Sequence, residues 1–365
     1  MKEPKVIEKD NSKVYFYWID ALRFLAAFMV LFSHSRNDFF VPFGELPIEQ
    51  QTYSAYAFYS LGRLGHEAVV VFFVLSGFLV GGVNLERIFK GTFTPLSYII
   101  DRCVRIYLPL LASIVLYFIV CQVIGDDFDY ICAIGNIFNL QCTFVEPLVS
   151  VYWSLAYEMW FYIALLGFGL IMSGKKKWIG YCIMLLTCFI FVCGLDLFYL
   201  FLWYIGAFAY LVRPQKRSGL ILFASFLLML LSVAYSQLLT DSKSLSINVP
   251  LPDNKLIPEL LLSVAICTII QQLILFKPLR KWSIFIEHVF SKLASFSYTL
   301  YLSHRIFFLI LFHFFFTQYG SSFTLSGVSL YVLFVFIVLL LCYGLYRISE
   351  YYTYQVKVII KRNLL

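Results

Sequence analysis

The chain has 365 residues, of which 61% are hydrophobic, 19% aromatic and only 13% charged, with a formal net charge of +7 and a mean hydropathy of +0.83. Soluble domains carry about 25% charged residues, so this composition excludes a water-soluble protein and points to an integral membrane one. No polar run is long enough to fold as a separate soluble domain, and the positive surplus follows the loops rather than one nucleic-acid-binding patch.

Residues 1–17 are polar and charged and lack the short apolar core of a cleaved signal peptide. They are expected to form a cytoplasmic N-terminal segment. Residues 18–347 then contain ten apolar runs of the length a bilayer requires, about 20 residues each. They cover 18–35, 64–83, 106–124, 150–172, 177–194, 196–212, 218–236, 258–276, 293–317 and 326–347. The first is the weakest, because Asp20 and Arg23 interrupt it. The expected fold is an all-α integral membrane bundle of about ten transmembrane helices, followed by a cytoplasmic tail over 348–365. With the N-terminus inside, inward-facing segments hold 22 Lys and Arg against 4 in outward-facing ones, and Arg23 and Arg305 complete the 28. That bias predicts both termini in the cytoplasm and a multi-pass protein of the cytoplasmic membrane. The nine cysteines are mostly scattered through apolar runs; Cys132 and Cys142 share one loop, and whether they pair is left open.

Ionisable groups inside apolar runs carry the functional signal, since a charge at membrane depth costs about 2.5–3.5 kcal/mol on insertion scales. In chain order, Asp20 and Arg23 are three residues apart and permit a local ion pair, with snorkelling as the plain alternative. His34 follows Arg23 by eleven residues, on the same helix face and about 16 Å away. It suits a general base for a hydroxyl, or an interfacial histidine. Ser76-Gly77 sits mid-helix and reads chiefly as close helix packing, while His66 and Glu67 lie at the mouth of that span.

Arg102 and Arg105 form a guanidinium pair before the third run, suited to a phosphate-bearing ligand or to ordinary topology. Glu158, preceded by Trp153 and Ser154, is the carboxylate hardest to dismiss. It is expected to pair with an arginine, orient His34 or carry protons, a structural ion pair being the alternative. Tyr298, Tyr301 and His304 recur every third residue and form one polar stripe facing the bundle interior. His288 and His313 lack such company. The His and Glu positions are dispersed, so no metal site follows from spacing.

Five blocks bring these residues together in a known order. They are Ile19 to Ala27 with Ser33-His34, Gly65 with Phe72 to Leu79, Asp101 to Pro109, Trp153 to Tyr162, and Ser297 to His304. In this the chain resembles the membrane acyltransferase-3 family, stand-alone bacterial O-acyltransferases of surface glycans, over essentially its whole length. The resemblance implies His34 as base, Arg23 as its partner, Arg102 and Arg105 as donor-binding groups and Glu158 as the acid of the fourth block. Two departures are Phe24, where the family usually has Gly, and Val70 or Val71, where an Asp is frequent.

The implied activity is transfer of an acyl group, acetyl first among them, from acetyl-CoA to a hydroxyl of a cell-surface or lipid-linked glycan. His304, Tyr298 or Tyr301 would stabilise the oxyanion. No permanently bound cofactor or metal is expected; the partners are acyl-CoA, the glycan acceptor and membrane lipid, with no nucleic acid and with a homo-oligomer left open. By helix rise, His34 and Glu158 are expected in the outer half of the membrane and the arginine pair at the opposite face. The rival reading is a proton-coupled transporter or exporter of a glycan or lipid precursor, because such carriers also bury His, Glu and Arg.

Overall fold

A computed structural model describes residues 17–174, 176–245, 255–275, 289–315 and 322–364. The polar N-terminal residues 1–16, Lys175, residues 246–254 and His288 lie outside these described residues. Within them the chain is helical, with no named strand. In order the helices are α1 (Tyr17–Phe39), α2 (Tyr53–Leu61), α3 (Gly65–Ser76), α4 (Val83–Phe89), α5 (Pro95–Ile124), α6 (Tyr130–Ile137), α7 (Trp153–Ser173) and α8 (Lys177–Cys193). Then come α9 (Leu197–Leu211), α10 (Gly219–Leu245), α11 (Leu256–Ile274), α12 (Val289–Ser295), α13 (Ser297–Phe314), α14 (Leu325–Ile348) and α15 (Thr353–Leu364).

Each of the ten apolar runs coincides with a helix, but the strict count of spans is lower. Among the described residues, seven helical segments are long and apolar enough to cross a membrane, and an eighth is the pair α12–α13, bent by 53°. The remaining two, α8 and α9, have 17 and 15 residues, fewer than the roughly 20 that cross a bilayer upright. Local chemistry sets the ends. Pro95 opens α5 at a position where its missing N–H costs nothing. Gly125 ends the same helix at φ +80, the left-handed conformation that only glycine takes freely. Thr52, Asp196 and Thr324 cap α2, α9 and α14 by accepting from backbone N–H groups.

Helix α5 begins eleven residues before the expected third run, so Arg102 and Arg105 lie inside a helix of 30 residues. Within the C-terminal segment, α15 folds back on α5, where Lys357 and Lys361 both ion-pair with Asp101, at 2.8 and 2.9 Å. Cys132 and Cys142 are free thiols.

Helices α1, α3, α5, α7 and α13 pack around the interior, with α9 and α11 on α3, α8 on α7 and α14 on α13. Only 11% of the α10 span is buried against protein, compared with 72% of the Tyr53–Phe89 segment. Its exposed Leu220, Phe223 and Leu231 suit a lipid-facing position. Between α3 and α4 the chain widens into a π-helical turn, Gly77–Gly82. There α9 comes in backbone to backbone: a Cβ on Gly77 would collide with the Trp203 carbonyl, and one on Gly206 with the Val74 carbonyl. Lipid offers apolar side chains as good a home as protein, so such close packing holds membrane helices together. Gly77→Val is therefore expected to destabilise the bundle by at least the 1–3 kcal/mol typical of overpacking. The check is a lower melting temperature in detergent and less folded protein in membranes.

Candidate active site

The interior holds a cavity of about 410 Å³ between α1, α3, α5, α7 and α13. Its apolar wall includes Phe72, Phe73 and Leu75, and its polar wall includes Arg23, Arg102, Arg105, Ser76, Ser154, Glu158, Tyr162, Tyr298 and Tyr301. A second recess of about 280 Å³ is lined by α15 residues Tyr354 and Lys357, by Glu350 and again by Arg102 and Arg105. The two arginines thus line both voids.

The arginine pair lines one cavity with Glu158, because α5 starts at Pro95 and carries both arginines within the helix, and the same pair borders the recess under α15. Glu158 accepts from the Tyr162 hydroxyl, one turn on along α7. Tyr162 shares a 3.0 Å hydrogen bond with Ser76, and Ser76 accepts from the Trp203 indole N–H at 3.1 Å. With the Tyr162 proton given to Glu158, the Ser76 hydroxyl donates to Tyr162. The donors Trp203, Ser76 and Tyr162 therefore all point toward the carboxylate, and chained polar bonds reinforce one another in a low dielectric. Ser76, read from its neighbour Gly77 as a packing residue, also carries this chain.

Each arginine is held differently. Arg23 ion-pairs with Asp20 at 3.5 Å along α1. Arg105 meets Glu350 at 2.7 Å and lies over the Tyr298 ring at 5.6 Å. Arg102 lies over the Tyr162 ring at 5.6 Å, forms no ion pair among the described residues, and has a buried Nε without a partner. The buried Tyr298 hydroxyl is likewise unpartnered. Two polar groups lining one cavity thus have no protein partner, in a fold where buried polar groups are ordinarily paired.

The α13 stripe continues from the cavity toward His34. Tyr301 shares a 2.6 Å hydrogen bond with Ser154 and donates to the Val151 carbonyl at 3.1 Å. One turn further His304, with no exposed surface, approaches His34 on α1, with 2.9 Å between His304 Nε2 and His34 Nδ1. The rings stack within 13°. His34 itself is half-buried and does not line the cavity. Its ring partner is His304, whereas Glu158 belongs with the arginines. Trp153 also lies off the cavity; it packs parallel to His66 with centroids 6.4 Å apart. His66 pairs with Glu259 at 2.8 Å, and Glu67 is buried, accepting from Ser236 at 2.7 Å and Gln237 at 2.9 Å.

Sequence reasoning passed over Glu350, Glu259 and Asp38. Glu350 follows α14 and meets Arg105 across 245 residues, so adjacency gave no signal. Lys357 and Lys361, one turn apart after it, were the available hint of a docked amphipathic helix. Asp38 ion-pairs with Arg305, next in sequence to His304, and so ties α1 to α13 beside the two histidines.

The family model described as an acyltransferase domain matches residues 16–347, nearly the whole chain. The protein belongs to the membrane acyltransferase-3 family and is a multi-pass membrane acyltransferase. No curated protein and no solved structure gives a significant match.

Glu350 accepts from both the backbone N–H and the hydroxyl of Thr299, at 3.1 and 2.7 Å, besides pairing with Arg105. Removing it leaves buried donors unmet, at about 1–3 kcal/mol. Glu350→Ala is expected to lower the melting temperature clearly. Glu86→Ala, which breaks an i,i+4 pair with Lys90 worth about 0.3–0.5 kcal/mol, is expected to leave it nearly unchanged.

Proposed function

We propose that this acyltransferase moves an acyl group, acetyl in the first instance, from acyl-CoA to a hydroxyl of a surface or lipid-linked glycan. In this reading it sits in the cytoplasmic membrane with both termini and the arginine face toward the cytoplasm. The observation that carries it is the pair of unpartnered groups, Arg102 Nε and the Tyr298 hydroxyl, at the cavity whose arginines also line the recess under α15. Arg102 and Lys357 in the recess suit the phosphates of a nucleotide-bearing donor, since guanidinium and ammonium groups bind phosphate strongly. An acyl thioester reaching past them would meet a largely apolar wall, with Tyr298 able to donate to its carbonyl oxygen. Donors placed where negative charge develops lower the barrier to acyl transfer.

The same reading gives His34 the acceptor. It takes the hydroxyl proton as the oxygen attacks the acyl carbon; the C–S bond then breaks and the thiolate takes a proton. Glu158, with Tyr162, Ser76 and Trp203 behind it, holds Arg102 and the cavity wall in place, and Tyr301 stands at the His34 side of the cavity, where the acyl carbon would meet the acceptor hydroxyl. The glycan approaches from the side of His66 and Trp153, whose polar and aromatic surfaces suit a sugar.

The test is transfer of labelled acetyl from acetyl-CoA into envelope glycan, with wild type, His34→Ala, Arg102→Ala and Arg102→Lys at matched membrane levels. General-base loss costs about 10²–10⁴-fold, so His34→Ala is expected to fall by that much. Arg102→Ala is expected to raise the donor KM, with Arg102→Lys intermediate. Absence of label with wild type, or undiminished label in His34→Ala, overturns the reading. Transport driven by a proton gradient and indifferent to coenzyme A would then replace it.

A further inference from the structure

Resting on the acyltransferase reading, we propose that His304 is a positioning residue that fixes the tautomer of His34 and leaves His34 Nε2 as the basic nitrogen. His304 Nδ1 lies 2.9 Å from the Leu300 carbonyl oxygen, one turn back along α13. A carbonyl oxygen only accepts, so His304 Nδ1 carries the proton. A neutral imidazole holds one proton, which leaves His304 Nε2 with a lone pair. That lone pair faces His34 Nδ1 at 2.9 Å, so His34 Nδ1 is the donor of this bond. Neutral His34 then has no proton on Nε2. The opposite neutral arrangement would set the bare Nδ1 of His304 against the Leu300 oxygen, lone pair to lone pair, inside protein.

The surroundings hold the pair in this geometry. His304 has no exposed surface, whereas His34 is half-buried, so the ring left basic is the one that still reaches the outside. Asp38, one turn beyond His34, ion-pairs with Arg305, and Ser35 shares a 2.8 Å hydrogen bond with Tyr331 of α14. Gly65 packs so tightly on Ser33 that a Cβ there would come within 2.6 Å of its hydroxyl oxygen. Helix α1 is therefore fixed against α3, α13 and α14 on both sides of His34.

The arrangement also gives the proton a place to go. As the acceptor O–H bond breaks and its oxygen bonds the acyl carbon, the proton joins His34 Nε2. The positive charge rests on His34, the half-buried ring, whose Nδ1–H stays hydrogen-bonded to His304 Nε2 while His304 Nδ1–H is held by Leu300. When the C–S bond breaks, His34 Nε2 gives its proton to the sulfur. Thiol leaves, and His34 returns to its starting tautomer. A second imidazole here orients the base from behind, the task a carboxylate performs in a Ser-His-Asp triad, without adding a negative charge to the membrane interior.

The experiment is nitrogen NMR of histidine-labelled protein in lipid nanodiscs at alkaline pH, with His34 assigned among the five histidines by His34→Gln. Wild type is expected to show His34 protonated on Nδ1 and bare on Nε2. In His304→Gln the side-chain oxygen can accept from His34 and its NH₂ can donate to Leu300, so the tautomer is expected to persist. In His304→Phe the preference is expected to vanish. With kinetics alongside, His304→Phe is expected to lose about 10²-fold in kcat at little-changed donor KM, with His304→Gln recovering most of it. His34 protonated on Nε2 in wild type, an unaltered tautomer in His304→Phe, or a loss confined to KM overturns the proposal. Should His304→Phe fail to fold, the wild-type spectrum still decides. The tautomer is read without any substrate, so failure of the acyltransferase reading shows separately, as absent transfer by wild type.

Discussion

A charge inside a bilayer needs a partner, and this bundle meets that demand by pairing across helices and along them. Arg105 of α5 is answered by Glu350 beyond α14, Arg305 of α13 by Asp38 of α1, and His66 of α3 by Glu259 of α11. Arg23 takes Asp20 from its own helix. Each long-range pair brings together segments that apolar contact alone would let slide, because lipid tails compete for leucine and phenylalanine on equal terms. The glycine contacts between α3 and α9 supply close approach, and the ion pairs supply register. Arg102 stands apart from this scheme: it makes no ion pair among the described residues, lies over the Tyr162 ring, and shares its cavity with Glu158.

Helix α13 links the two halves of the site. Tyr298, Tyr301 and His304 occupy successive turns, so one helix face carries a cavity hydroxyl, a hydrogen-bonded tyrosine and the buried imidazole behind His34. A shift of α13 along its axis would move all three together. Its fixings are correspondingly many. Thr299 is tied to Glu350, and Glu350 to Arg105; Tyr301 is tied to α7 through Ser154; Arg305 is tied to α1 through Asp38. The sharp bend between α12 and α13 comes before all of these anchors, so it leaves the polar stripe straight.

Much of this was legible in the sequence because membrane helices announce themselves by composition. Every apolar run became a helix, and the stripe at Tyr298, Tyr301 and His304 was readable from spacing of three. Boundaries inside polar stretches were less so. The apolar run of α5 starts at Ile106, but Pro95 with its preceding Thr94 starts the helix, so Arg102 and Arg105 are helical and line the cavity that Glu158 also lines. The count of about ten spans came out somewhat high among the described residues, where α8 and α9 are short, since hydropathy measures greasiness and not length across a bilayer. Long-range partners were not legible at all. Nothing local to Glu350 names Arg105, and nothing local to His34 chooses His304 over Glu158 as its partner.

That last choice matters most for the chemistry. On the proposed reading, Glu158 behind His34 would have put a permanent anion at the back of the base, and the cavity would have lost the carboxylate it shares with its guanidiniums. The structure separates the two tasks. The anion stays among the cations, where it offsets their charge and, with Tyr162 and Ser76, holds the wall of the cavity. In the proposed mechanism the base is one of two neutral rings in contact, with His304 behind His34. A buried charge must be compensated throughout the cycle, whereas a neutral imidazole pair is charged only while the acceptor proton is in transit. In a membrane interior that difference favours the histidine pair, and it accounts for finding Glu158 and His34 in two neighbouring environments, with Tyr301 between them.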